Sequence, residues 1–140
     1  RFFGDDLDPQ EVSELLGAQP TKSYRKGDVR TRTRSDGVVV RTLPDGSEWI
    51  RKYGMWNMKA AWREPADLDS QIYEIFGQLT DDLAVWRDLT SQFKADVFVG
   101  LFLKTSNEGI SISPDALQIV ASRGLKIGFD IYCDCDDKED

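Results

Sequence analysis

Apolar and polar positions alternate along two stretches in the last third of the chain. Residues 97–104 carry valine or leucine at every second position, and residues 125–132 carry leucine, isoleucine or phenylalanine in the same way. A period of two is typical of a β-strand with at least one buried face. The pattern therefore predicts one strand in each stretch.

The residues between these strands predict a hairpin and a helix. Residues 105–109 have the composition of a hairpin loop, and residues 110–112 resume the apolar and polar alternation. Ser113 followed by Pro114 predicts a helix start, because the hydroxyl can accept amide protons and proline at N1 loses no hydrogen bond. Gly124 ends that helix. The last third is thus predicted as strand, turn, strand, helix, strand.

The N-terminal part repeats this order in a weaker form. Phe2 and Phe3 predict a strand, Asp8 and Pro9 predict a helix start, and Gly17 predicts its end. The two segments together indicate a pseudo-repeat of a β-α-β unit. We predict an α+β fold, with a largely antiparallel sheet made from two ferredoxin-like β-α-β halves and the helices packed on one face.

The middle of the chain predicts further strands and two helices. Residues 30–34 alternate arginine and threonine, which indicates a solvated strand or a loop. Residues 38–43 and 48–53 predict a hairpin around a Pro-Asp-Gly turn. A strand is predicted over 55–59, and helical spacing predicts helices over 66–79 and 82–93. We predict a single domain over 1–133, a candidate inserted basic hairpin at 29–48, and an acidic tail at 134–140.

Length and composition set the general class of the protein. A chain of 140 residues fits one domain that folds without disulfides or metals. No window approaches about 18 consecutive apolar residues, so no membrane span is predicted. The first residue is arginine, so we expect a trimmed chain, and a removed signal peptide is compatible with it. The two cysteines cannot form a disulfide framework, which favours a cytoplasmic location.

The net charge of −7 is unevenly distributed along the sequence. Residues 22–63 contain eleven Lys or Arg and four Asp or Glu, a local balance of +7, so the remainder carries −14. Such asymmetry bears on partners rather than on fold. Because the basic stretch is interleaved with tyrosine and tryptophan, it has the components of a nucleic-acid surface. A solvated hairpin whose tryptophans belong to the core is the favoured interpretation, and docking on an acidic protein is a third.

The residue types exclude several kinds of catalytic site. The chain has no histidine, which removes Ser-His-Asp and Cys-His nucleophiles and histidine zinc sites. Asp5, Asp6 and Asp8 could converge on Mg²⁺ or Ca²⁺, but a turn followed by a helix cap explains them better. Cys133 and Cys135 offer two thiolates where a tetrahedral metal needs four ligands, which leaves only a homodimeric site. We predict no catalytic residues, no metal and no cofactor.

One polar cluster is the best candidate for a binding site. Arg25, Lys26 and Asp28 surround a glycine that lets backbone amides approach an anion, and Tyr24 and Trp56 provide aromatic rings nearby. No phosphate-binding loop motif accompanies them. The predicted binding residues are therefore Tyr24, Arg25, Lys26, Asp28 and Trp56.

Several motifs follow one another in an order that resembles a known family. They are FGDDLDP at 3–9, LLG at 15–17, PT at 20–21, YRKGD at 24–28, a tryptophan-bearing strand at 56 and GFDIY at 128–132. Together they resemble the bacterial family named domain of unknown function 4279, over nearly the whole chain. The resemblance implies a small bacterial α+β domain without an established activity. It also suggests that residues 30–48 are an insertion specific to this protein.

The favoured function is a non-catalytic binding or protein-interaction module in the bacterial cytoplasm. Its expected partner is an unidentified protein or a small anionic ligand, and a toxin-immunity or conflict-system role rests on genomic habit rather than on residues. The first alternative is a nucleic-acid-binding protein that uses residues 22–63. The second is a carboxylate enzyme that acts on a small ligand through Asp5 and Asp6. The sequence does not determine the oligomeric state.

Overall fold

Seven strands and four helices form residues 1–133, the part of the chain that the computed structural model describes. In chain order they are β1 (Phe2–Gly4), α1 (Pro9–Leu16), β2 (Lys22–Tyr24), β3 (Thr31–Arg34), β4 (Gly37–Val40), β5 (Gly54–Asn57), α2 (Leu68–Phe76), α3 (Leu83–Gln92), β6 (Lys94–Leu103), α4 (Pro114–Ser122) and β7 (Lys126–Cys133). None of these helices is long and apolar enough to cross a membrane.

Five of the strands form one mixed sheet in the order β2-β5-β1-β6-β7, and β3 and β4 form a separate two-stranded sheet. The pairs β2–β5, β5–β1 and β1–β6 are antiparallel, and β6–β7 is parallel. The predicted α+β class with a largely antiparallel sheet is confirmed. The finer prediction of two ferredoxin-like halves is not confirmed, because the two β-α-β segments are arranged differently: β5 lies between β1 and β2, whereas no strand lies between β6 and β7.

The hydrophobic core lies on one face of the five-stranded sheet. Phe2 and Trp56 occupy paired positions on β1 and β5, and both are buried. The Phe2 ring stacks on Trp86 of α3 at a centroid distance of 5.9 Å. Every helix contributes buried residues to the same cluster, among them Leu16 of α1, Ile72 of α2 and Val120 of α4. Since side chains alternate along a strand, the next register row, which includes Phe3, faces away from the helices.

The predicted helix ends of α1 and α4 are confirmed. The Asp8 carboxylate accepts the backbone N–H of Gln10 at 2.9 Å, and the Ser113 hydroxyl accepts that of Ala116 at 3.2 Å. Each cap is followed by proline in the first turn of its helix. Gly17 ends α1 with φ 76°, a conformation that glycine adopts without steric cost. These local rules alone set the bounds of two helices.

Two predicted hairpins differ from the observed structure. The hairpin across residues 95–112 is wrong, because residues 110–112 form no strand and β6 pairs instead with β7 in parallel register from Asp96↔Lys126 to Leu103↔Cys133. Ile110 and Ile112 lie in a loop and pack against the core. Their sequence therefore shows the same alternation of apolar and polar residues as a strand. In the middle segment, the predicted hairpin around the Pro-Asp-Gly turn is present but shorter than predicted. Thr42 bridges Glu48, whereas residues 38–40 pair with β3.

We expect Gly54→Ala to destabilise the protein by about 1–3 kcal/mol, the usual range for overpacking. A Cβ at Gly54 would lie 2.7 Å from the Leu7 carbonyl oxygen and 3.1 Å from the Leu7 Cβ, and backbone atoms cannot move away as a flexible side chain can. Urea unfolding measures the loss. Gly128→Ala in β7 is the control, because its new Cβ meets no atom within 4 Å. Equal losses in the two variants would contradict the steric explanation.

Candidate binding groove

Residues 27–51 form two β-hairpins that branch from one short stem, which we call the branched segment. In the stem, the Gly27 N–H donates to the Arg51 carbonyl at 2.9 Å, and Val29 pairs with Ile50. The first arm is the β3–β4 hairpin. The second arm is closed by a bridge between Thr42 and Glu48. The branched segment therefore has its own backbone pairing and contributes no residue to the main hydrophobic cluster.

A ring of three backbone hydrogen bonds joins the stem to the arms. The Arg30 N–H donates to the Trp49 carbonyl at 2.7 Å, the Trp49 N–H donates to the Arg41 carbonyl at 2.8 Å, and the Arg41 N–H donates to the Arg30 carbonyl at 2.8 Å. Each of the three residues thus gives one bond and receives one. The guanidinium carbons of Arg30 and Arg41 lie 4.3 and 5.9 Å from the centroid of the Trp49 ring, within cation–π range. The junction thereby holds two cations beside one ring.

A groove of about 710 Å³ lies between β2 and the start of β3, and we call it the cationic groove. Its lining includes all three residues of β2 and residues 31–33 of β3. The cations among the lining residues are Lys22, Arg30, Arg32, Arg41 and Arg51. Among residues 1–133, Asp28 is the one acidic residue in the lining, so this part of the chain gives the groove a large excess of positive charge.

The positive charge of the cationic groove is not neutralised from within residues 1–133. None of its five cations has a carboxylate of that part of the chain within ion-pair distance. The Asp28 carboxylate instead accepts the backbone N–H of Arg25 at 2.7 Å. The Arg51 guanidinium lies 3.9 Å from the centroid of the Tyr24 ring. Burial raises the pKa of the Tyr24 phenol, so the ring is neutral at physiological pH and adds no negative charge.

Two cations of the predicted site are paired with acids outside the cationic groove. Arg25 contacts Asp8 at 2.6 Å, and Lys26 contacts Asp5 at 2.7 Å. The hydrogen bond from Arg25 lowers the pKa of the Asp8 carboxyl, with a further contribution from the backbone N–H of Gln10. These contacts join β2 to the N-terminus of α1. Neither cation is fully available to a ligand while its ion pair is intact.

The remaining predicted residues lie in two different environments. Tyr24 and Asp28 line the cationic groove, and together with Arg25 they also line a second groove of about 620 Å³ beside α1. Trp56 is 2 % exposed, and its indole N–H donates to the Ser13 hydroxyl at 3.0 Å. The structure thus brings Tyr24, Arg25 and Asp28 together and places Trp56 in the core, apart from them.

The residues that sequence reasoning missed are the five cations of the cationic groove. Arg30 and Arg32 had a usable signal, because residues two apart on a strand share one face. Arg41 and Arg51 had none, since they reach the groove only through the branched backbone pairing. The interpretation that the tryptophans of residues 22–63 belong to the core is confirmed for Trp56 and wrong for Trp49 and Trp62, which are exposed.

The acidic and sulfur side chains form no metal-binding group in the described residues. Within 1–133, no three or more Cys, Asp or Glu side chains converge as metal ligands. Asp5 and Asp8 are engaged by Lys26 and Arg25, and Asp8 also caps α1. Cys133 ends β7, and Cys135 and the predicted acidic tail at 134–140 lie outside the described residues.

Comparison with known families agrees with the motif order in the sequence. A family model described as a domain of unknown function, DUF4279, matches residues 1–134. The chain belongs to the DUF4279 family. The match spans the branched segment, and the suggestion that part of it is an insertion stays a prediction. No curated protein and no solved structure matches the chain, so the DUF4279 assignment brings no activity or ligand with it.

Proposed function

We propose that this DUF4279 protein is a non-catalytic interaction module that binds an acidic part of a partner protein through the cationic groove. The observation that supports this function best is the concentration of five cations, without ion pairs to residues 1–133, around one groove. Positive surfaces of this kind speed association with negative partners and fix their orientation.

The exposed apolar side chains of the branched segment support a protein partner. Val38 is 66 % exposed, Trp49 is 38 % exposed, and Val39, Val40 and Leu43 are also exposed. Arginine and tryptophan beside apolar residues are the composition that dominates binding energy at protein interfaces. A partner that covers the cationic groove and its arms would bury both kinds of surface.

The proposal also covers the cellular location of the module and its fold type. The proposed setting is the bacterial cytoplasm, and a partner encoded with a toxin or another conflict system fits a small non-catalytic binder. With the β3–β4 hairpin treated as an insertion, the chain order β1-α1-β2-β5-α2-α3-β6 and the spatial order β2-β5-β1-β6 support a ferredoxin-like unit extended by α4 and β7.

Nucleic acid is the second candidate partner, because the cationic groove combines cations with aromatic rings. Access to the faces of these rings distinguishes a nucleic acid from an acidic protein as the partner. Guanidinium groups lie over Trp49 and Tyr24, so a base that stacks on the same face of either ring would have to displace an arginine. This geometry favours an acidic protein over a single strand, and a direct comparison decides between them.

We expect poly-L-glutamate to bind the wild-type protein. Its affinity for a Lys22→Glu/Arg32→Glu variant should be lower by about tenfold or more, because two exposed cations of the cationic groove become repulsive. Fluorescence anisotropy at about 50 and 200 mM salt measures both affinities, and binding should weaken at the higher salt. An oligothymidylate of similar charge is titrated in parallel.

The matched control is Arg87→Glu/Lys126→Glu, which makes the same change in net charge at exposed cations on α3 and β7. This control should weaken binding far less than the groove variant. Equal losses, or no binding of poly-L-glutamate at the lower salt, would refute the proposed function. Tighter binding of oligothymidylate, lost in the groove variant alone, would replace the protein partner with nucleic acid.

A further inference from the structure

We infer that the cationic groove takes its acidic partner as an extended strand that pairs with β2, and this inference rests on the proposed function. The groove is bounded by main chain as well as by charge. All of β2 lies along one side of it, and most of β3 lies along the other. The site therefore offers hydrogen bonds from strands in addition to electrostatic attraction.

Both of these strands are sheet edges. Among the strands of residues 1–133, β2 is terminal in the order β2-β5-β1-β6-β7 and pairs only with β5. Within the same part of the chain, β3 pairs only with β4 along its length. An unpaired strand edge presents alternate N–H and C=O groups that accept another strand, a mode of peptide recognition called β-augmentation. Residues of both edge strands line the cationic groove.

The spacing of the arginines indicates which acidic sequence fits best. Arg32 lies on β3, Arg30 directly precedes that strand, and both line the cationic groove, where a spacing of two residues corresponds to about 7 Å of extended chain. An extended ligand has the same spacing between its own alternate residues. Acidic side chains at every second position would therefore meet the arginines in register, whereas a block of adjacent acids would direct half of its charges away.

The length of the edge limits the segment that pairs. β2 has three residues, which corresponds to about 10 Å of extended chain. A segment of this length gains little from the main chain alone, so charge must supply much of the affinity. The inferred ligand is thus a short, extended stretch of a protein with Asp or Glu at alternate positions, flanked by residues that reach the exposed apolar arms.

Three peptides of about eight residues separate strand pairing from charge attraction. The first alternates Glu and Thr, the second has the same composition with all Glu residues in one block, and the third is the alternating peptide with N-methyl groups on alternate backbone nitrogens. Isothermal titration calorimetry measures their affinities for the full-length protein. We expect the alternating peptide to bind about tenfold or more tightly than either of the others.

Hydrogen exchange provides the second measurement. On binding of the alternating peptide, amide protection should rise within Lys22–Tyr24, because no strand of residues 1–133 pairs with the outer side of β2. Equal affinities of the three peptides, with unchanged protection in β2, would overturn strand addition and leave the proposed function standing. Failure of all three peptides and of poly-L-glutamate to bind would refute the proposed function itself.

Discussion

Trp56→Ala is expected to lower the free energy of unfolding by about 3–5 kcal/mol, the usual range for removal of a buried tryptophan. The ring is almost fully buried, packs edge-on against Phe2 at 6.1 Å, and donates its N–H to Ser13 on α1. Small domains are stable by only about 5–15 kcal/mol, so the variant should lose a large share of its stability. Urea unfolding monitored by circular dichroism measures the change.

Trp49→Ala is the matched control for this loss. It removes the same side chain from the junction of the branched segment, where the ring is exposed and contacts arginines rather than the core. We expect a loss below about 1 kcal/mol, as for most surface substitutions. A Trp49 variant as unstable as the Trp56 variant would contradict the separation of the branched segment from the core.

The elements with strong local signals were predictable from the sequence. Alternation gave the positions of β6 and β7, and the pairs Asp8-Pro9 and Ser113-Pro114 gave the starts of α1 and α4. Each signal depends on neighbours in sequence, through side-chain period or through a cap within one turn. Such features need no knowledge of the rest of the fold.

Strand partners were harder to predict, because pairing is a property of distant residues. Ile110 and Ile112 alternate with polar residues as a strand does, yet they are loop residues that pack on the core from one side. The sequence predicts that Val38–Val40 pair across the Pro-Asp-Gly turn, whereas their partner is β3, which lies across the preceding turn. Periodicity indicates the buried face and not the neighbouring strand.

The candidate site was predictable in its location but not in its membership. The excess of positive charge in residues 22–63 indicated the correct part of the chain, and Tyr24 and Asp28 do line the cationic groove. Arg25 and Lys26 could not be distinguished from groove cations, because their pairing with Asp8 and Asp5 depends on the placement of α1 beside β2. The junction formed by Arg30, Arg41 and Trp49 has no signature in sequence spacing.

Removal of the branched segment is expected to abolish binding and to leave the fold intact. Val29 and Ile50 are directly paired, so an Asn-Gly turn can replace residues 30–49 and close a short hairpin. The deletion removes three of the five cations of the cationic groove together with β3, and it removes no residue of the main hydrophobic cluster. The change in the free energy of unfolding should stay below about 2 kcal/mol.

A smaller deletion serves as the control. Replacement of residues 42–48 by Asn-Gly removes the second arm but none of the five groove cations. The short turn can close, because Arg41 and Trp49 are already hydrogen-bonded across that hairpin. This protein should retain most of the affinity of the wild type. Its comparison with the larger deletion separates loss of the cationic groove from general disturbance of the segment.

The most direct measurement is the affinity of poly-L-glutamate for these two deletion proteins, with circular dichroism on the same samples. The account gives a clear expectation: native spectra for both, no detectable binding by the protein without residues 30–49, and near-wild-type binding by the protein without residues 42–48. Undiminished binding by a folded protein that lacks residues 30–49 would contradict it, because recognition would then reside outside the branched segment.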